Sequence, residues 1–144
     1  MILLENDLGF LLGRTDRAMR NYLLHRLQPL GVTFQQLQVL VGLSEGDAIS
    51  QDALAKRMFL EPGFITRMLQ RLEQDGFVAR VGDEQDARKR LVLLTPKGRE
   101  LCEKVETVRT AALQDALRSL SEEEVNELQR LLNRLFATVR DPQQ

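Results

Sequence analysis

The sharpest chemical signal in the chain is the group Asp86, Arg88, Lys89 and Arg90. Three consecutive cations on a short loop concentrate positive charge where it suits phosphate oxygens or the narrow, electronegative groove of a duplex. Asp86 stands close enough to Arg88 to orient its guanidinium by a charge-assisted hydrogen bond. The plainer reading of such a cluster is a solvated turn. Upstream, Pro62, Gly63, Phe64, Thr66 and Arg67 open an amphipathic stretch, and Arg71 follows one helical turn later. Arg67 suits bidentate recognition of guanine O6 and N7, or it only solvates a surface. Gly63, with no side chain, lets backbone approach a partner closely, or is a mild helix defect. Arg71 reaches a phosphate or pairs with Asp75 at i+4. Thr66 and Phe64 are contacts or, for Phe64, packing. Ser50 and Gln51 begin another helix whose free amides suit a phosphate, although capping explains Ser50 equally well.

Other chemistries have little support. A single His25 and a single Cys102 provide no ligand spacing for a metal. No nucleophile–base set or phosphate loop is present, so neither catalysis nor a cofactor is expected. His25 reads as structural or surface. Arg99 and Lys104 lie near Cys102 in sequence, which leaves a lowered thiol pKa open beside the reading of a buried bystander. The 144 residues, 43% of them hydrophobic, suit one domain or a compact pair of subdomains. The N-terminus MILLENDLGF lacks a basic leader and cleavage site, and no run approaches a membrane span. A soluble cytoplasmic protein without a membrane partner is therefore expected. The net charge of −1 argues weakly against a nucleic-acid partner, but its distribution matters more. Residues 51–99 carry ten Lys and Arg against seven Asp and Glu, whereas residues 100–144 carry six against nine. Only the middle third has a polyanion-facing balance.

The elements that must position these residues follow from periodicity and caps. Apolar residues recur at helical spacing over 7–28, with Asn6 as N-cap and Pro29 and Gly31 as the stop. Thr33 and Gln36 form a capping box for a helix from Phe34 to Leu43, and Glu45-Gly46-Asp47 is a turn. Ser50 caps a short helix, Gln51 to Met58, with Leu54, Ala55 and Met58 facing inward. Pro62 opens a fourth helix to about Asp75, ended by Gly76. Phe77 to Val81 and Leu91 to Leu94 are hairpin strands joined by a loop over 82–89. Thr95 and Pro96 start a fifth helix to about Leu117. A second capping box at Ser121 opens a sixth to about Val139, and Asp141 to Gln144 frays. The order is mainly α with a small β-hairpin wing: a helix-turn-helix, a hairpin, and long flanking helices.

LEPGFITRMLQRLEQDGFVAR (Leu60–Arg80), DARKRLVLLTPKGR (Asp86–Arg99) and LSEEEVNELQRLLNRL (Leu120–Leu135) resemble the recognition helix, wing and final helix of the MarR family of bacterial transcription regulators. The resemblance covers nearly the whole chain. It implies a winged helix-turn-helix DNA-binding domain over 33–95 and a helical dimerisation region over 1–32 and 96–144. It implies a homodimer that binds double-stranded DNA at a pseudo-palindromic operator, with half-sites about one turn, roughly 10 base pairs, apart. Repression is the family's commoner habit. The resemblance places Arg88 in the minor groove, held by Asp86, with Lys89 and Arg90 on phosphate or facing solvent.

Leu8, Leu11, Leu12, Leu117, Leu128, Leu131, Leu132, Leu135 and Phe136 would form the dimer interface, their alternative being an intramolecular core. The family often takes a small aromatic or phenolic acid between helices 1, 2 and 5. Arg14 or Arg17 would meet its carboxylate and Phe34 would give an aromatic wall, unless both arginines simply pair with Asp16 or the other subunit. The peroxide-sensing branch carries a reactive Cys near the start of helix 1, and this chain has none there. Two rivals remain: a winged helix used only for protein interaction, and a redox sensor acting through Cys102.

Overall fold

The computed structural model describes residues 3–46 and 48–141. Asp47, the end of the expected turn, and Pro142 to Gln144 of the expected frayed end lie outside the described residues. Among these residues, six α-helices and three short strands follow in the order α1 (Leu8–Leu27), α2 (Phe34–Ser44), β1 (Ile49–Ser50), α3 (Gln51–Met58), α4 (Pro62–Gln74), β2 (Val78–Gly82), β3 (Arg90–Leu94), α5 (Pro96–Ala116) and α6 (Glu122–Val139).

The expected caps set most helix starts. Thr33 and Gln36 close a full capping box on α2, as Ser121 and Glu124 do on α6. Ser50 accepts from the Ala53 amide at 3.1 Å, and Thr95 accepts from the Gly98 amide at 3.0 Å. At α1 the expected cap is one residue early. Asn6 belongs to a 3-10 turn over Leu4–Asn6, so the extended residue that precedes α1 is Asp7, and its carboxylate accepts from the Phe10 amide at 2.7 Å.

The hairpin is part of a larger sheet. The strand expected to start at Phe77 runs instead over Val78–Gly82, and its partner starts at Arg90. A third strand, β1, was not expected from the sequence; two residues are too short to show an alternation. The sheet order is β1-β3-β2, both pairs antiparallel, with Ile49 and Arg80 flanking Val92 in register.

One core holds the elements of the winged helix together. Leu40, Leu54, Ile65, Leu69, Leu72, Val92 and Val105 are essentially inaccessible to solvent and come from α2, α3, α4, β3 and α5. Leu27 at the end of α1 joins the same cluster. α5 thus has its first half in the winged helix and continues outward beside α1. The two long helices are clasped near α5's far end, where the Tyr22 hydroxyl donates to the Asp115 carboxylate and Arg26 pairs with the same oxygen at 2.9 Å. α6 buries none of its residues within the protomer.

Candidate nucleic-acid interface

α3 and α4 meet through the turn Phe59–Glu61, where Phe59 takes a left-handed conformation (φ 52°) that ends α3 abruptly. The amphipathic pattern of α4 seats Ile65, Leu69 and Leu72 in the core, with Phe64 packed against it. Phe64 is therefore packing. Arg67 and Arg71 fall on the opposite, exposed face, and neither guanidinium has a hydrogen bond or ion pair among the described residues. Arg71 does not pair with Asp75, whose backbone amide donates to the Arg71 carbonyl instead. The Arg67 side chain runs back along the helix, so that its Nη1 lies 3.7 Å from where a Cβ on Gly63 would stand. A bare Gly63 leaves that guanidinium room over the helix N-terminus, where Pro62 is also exposed.

Gln51 and Thr66 are differently held. The Gln51 amide donates to the Thr66 hydroxyl at 2.7 Å, and that hydroxyl donates to the Pro62 carbonyl at 3.0 Å. Arg80, on β2, donates to the Gln51 amide oxygen at 2.9 Å and pairs with Glu73 at 3.1 Å. Sequence reading proposed Gln51 and Thr66 but missed Arg80. The available signal was its position: Val78 and Arg80 share one strand face, and a cation on a core-facing strand position needs partners. Ser50 acts as the cap of α3.

The wing is ordered by its own aspartates. Asp83 accepts from the Gln85 amide at 2.9 Å, and the Asp83 amide donates to the Lys89 carbonyl at 3.1 Å. Asp86 was expected to hold the Arg88 guanidinium; its carboxylate accepts instead from the Arg88 backbone amide at 3.0 Å, and its carbonyl accepts from the Lys89 amide. The reason is local. An Asx turn satisfies the carboxylate within two residues, leaving the long side chain unconstrained. Arg88, Lys89 and Arg90 are all exposed, and their charged groups have no partner among the described residues.

An organic hydroperoxide resistance transcriptional regulator from Bacillus subtilis is 32% identical over 136 residues, 94% of this chain and 91% of that protein. The chain belongs to the MarR family. The MarR family match itself covers residues 32–89, from the residue before the cap of α2 to the last residue before β3. Two solved structures share the fold. An E. coli MarR mutant complexed with operator DNA superposes with a TM-score of 0.83 at 31% identity, covering 89% of this chain and 92% of that one. CouR from Rhodococcus jostii, bound to p-coumaroyl-CoA, superposes with a TM-score of 0.85 at 28% identity, covering 94% and 95%. This MarR-family chain is a DNA-binding transcription regulator with the winged helix-turn-helix architecture.

On α1 and α6 the MarR-family chain leaves an apolar stripe largely uncovered. Leu8, Leu12, Leu128, Leu131, Leu132 and Phe136 are each 38–59% exposed, with Leu11, Leu117 and Leu135 half-buried beside them. An intramolecular core, the alternative considered for these residues, is not what they form in the protomer.

A cavity of about 980 Å³ lies between α2 and α5, with Val41, Arg99, Cys102, Glu106 and Arg109 among its lining residues. α1 does not line it. Arg14 stacks on Phe10, Arg20 stacks on Phe34 at 4.6 Å and pairs with Asp16 at 3.0 Å, and Arg17 lies beside Gly13. The expected Asp16 partner is thus Arg20 rather than Arg14 or Arg17. Cys102 is buried, and that burial, with Glu106 close by, pushes its thiol up to about 11. Lys104, the cation nearest to it in sequence, turns to Glu100 at 3.2 Å. Among the described residues no group of three or more His, Cys, Asp and Glu is placed to hold a metal, and no helix is long and apolar enough to cross a membrane.

Proposed function

We propose that the protein is a homodimeric repressor of a pseudo-palindromic operator, reading each half-site with Arg67 in the major groove and Arg88 in the minor groove. The observation that carries this is the contrast in how side chains are held. Gln51, Thr66, Asp83 and Asp86 are tied into the fold, while Arg67 and Arg88 project unpaired from two rigidly connected elements. Free guanidinia on a fixed frame are what duplex recognition needs, because the contacts then order little that is not already ordered. Arg71, Lys89 and Arg90 flank them as phosphate contacts, and Pro62 and Gly63 allow α4 to approach end-on. The dimer rests on the uncovered stripe of α1 and α6. Its role is binding in the cytoplasm, where its target DNA lies, and not catalysis; the relatives it resembles are regulators.

The releasing ligand we assign to the α2–α5 cavity is a small aromatic or phenolic acid, its carboxylate met by Arg99 or Arg109. The cavity lies on the helix that joins the two regions, so a molecule there can favour one dimer geometry over another. The test is fluorescence anisotropy with DNA from immediately upstream of the protein's own gene, at two salt concentrations. Saturable, salt-sensitive binding that survives competitor DNA is expected. Binding no tighter than to random DNA, at that locus and in a genome-wide fragment selection, overturns the reading.

A further inference from the structure

Arg80 is the least exposed charged side chain in any ion pair among the described residues, at 20% against 39% or more for every other partner. It sits on β2 in register with Val92, itself inaccessible to solvent, and shares a strand face with buried Val78. An apolar residue would satisfy the core there. What Arg80 adds is a bridge between elements: Nε to Glu73 at the end of α4, and Nη1 to Gln51 at the start of α3. The bridge continues through Gln51 Nε2 to Thr66 and on to the Pro62 carbonyl in the first turn of α4.

We propose that Arg80 is a positioning residue for operator specificity, which fixes the amide orientation of Gln51 and, through it, the Thr66 hydroxyl. Arginine is a donor only, so the oxygen of the Gln51 amide must face it and the nitrogen must face Thr66. With that orientation set, one N–H and one lone pair of Gln51, and one lone pair of Thr66, remain for a base edge. A glutamine free to flip offers donor and acceptor in either place and discriminates between bases poorly. Lysine cannot replace Arg80, because one ammonium lacks the planar fork that reaches Glu73 and Gln51 together. The proposal rests on the operator-binding reading and adds a residue that itself touches no DNA.

The test combines a double-mutant cycle with a readout that needs no DNA. Operator affinity is measured for the full-length wild type, Arg80→Met, Gln51→Ala and the double variant, at several salt concentrations, with thermal melts as control. Arg80→Met is expected to weaken operator binding roughly tenfold, the size of one charge-assisted hydrogen bond. It should leave affinity for random DNA and the salt slope unchanged, and it should cost little more once Gln51 is alanine. The side-chain amide protons of Gln51, followed by NMR in the free protein, are expected to be dispersed in the wild type and to collapse towards solvent-exposed values in Arg80→Met. Additive losses, or a salt slope that falls with Arg80→Met, would overturn the proposal by making Arg80 a direct contact or a mere stabiliser. Unchanged Gln51 amide signals would overturn it regardless of DNA. Failure of the wild type to bind any operator defeats the parent reading, and is told apart by leaving the amide result intact.

Discussion

At the scale of single residues, the interface divides into side chains that the fold has already engaged and side chains it has left free. Arg88 belongs to the second group: its backbone is pinned by Asp86 while its guanidinium is unpaired. On the proposed reading, replacing it with alanine removes a minor-groove contact without disturbing the loop. Operator affinity measured by anisotropy should fall by roughly 1–3 kcal/mol, and discrimination near the half-site edge should relax. Lys89, on the same loop, should behave differently. Lys89→Ala is expected to weaken binding to all sequences alike and to reduce the salt slope by about one ion per protomer. Equal effects from the two variants would merge their roles. Cys102 offers a third contrast. The thiolate is the reactive form, and a buried thiol held at about 11 carries almost none at neutral pH. Peroxide treatment is therefore expected to leave operator affinity unchanged, despite the similarity to a hydroperoxide-resistance regulator; a loss reversed by reductant and absent in Cys102→Ala would restore the redox reading.

At the scale of elements, the joints decide how the free residues are presented. The wing is set on the helical body by Thr95, which accepts from the Gly98 amide and donates to the Gly76 carbonyl at 2.6 Å, while Lys97 donates to the Asp75 carbonyl at 2.8 Å. A Cβ at Gly98 would stand 2.0 Å from the Phe77 carbonyl oxygen, a clash with backbone that cannot move without shifting β2. Gly98→Ala should lower the melting temperature by an amount equivalent to roughly 1–3 kcal/mol and weaken operator binding with it.

The α1–α5 clasp has its own signature. The Tyr22 hydroxyl, with the Arg118 and Arg26 guanidinia, lowers the Asp115 carboxyl below its usual value, and the same hydrogen bond raises the Tyr22 phenol. A depressed carboxyl stabilises the fold above its unfolded value near 4 and loses that stabilisation as pH falls through the lower folded value. Melting temperatures should therefore drop more steeply below pH 4 for the wild type than for Asp115→Asn, which should start lower at pH 7. Much of this element plan was legible in the sequence, because caps at Thr33, Ser50, Thr95 and Ser121 and the 3.6-residue period are local signals. β1 escaped notice because two residues show no period, and the Arg80 bridge because its partners lie 29 and 7 positions away and are joined only by folding. The Asp86 pairing was misjudged because the nearest donor was the backbone, not the side chain that the charges suggested.

At the scale of the whole molecule, α6 is the element that makes sense only in an assembly. Its 18 residues are held helical by a capping box and by Glu122, Glu123 and Glu124 at the positive end of the helix dipole. Yet none of its residues is fully buried in its own protomer, where Phe136 meets Phe59 edge-on at 4.8 Å, and Leu128, Leu131, Leu132 and Phe136 stay 40–46% exposed. Stripes of this kind are rare on monomers because water disfavours them. A charge placed there should leave the helix intact, since its caps and surface pairs such as Arg130 with Glu127 are untouched. It should abolish the association instead. Each leucine is 42% exposed, so Leu128→Glu with Leu132→Glu removes burial worth roughly 0.6–1.2 kcal/mol per leucine from each protomer and sets carboxylates in its place. The dimer dissociation constant should therefore rise by at least about a hundredfold. Sedimentation should then show a monomer with unchanged helical circular dichroism. Operator affinity should fall to that of one half-site, because the two recognition helices are no longer joined at the spacing of successive grooves. A variant that stays dimeric would place the interface elsewhere; one that becomes monomeric but holds full operator affinity would mean that a single winged helix suffices, and the uncovered stripe would then serve something other than DNA recognition.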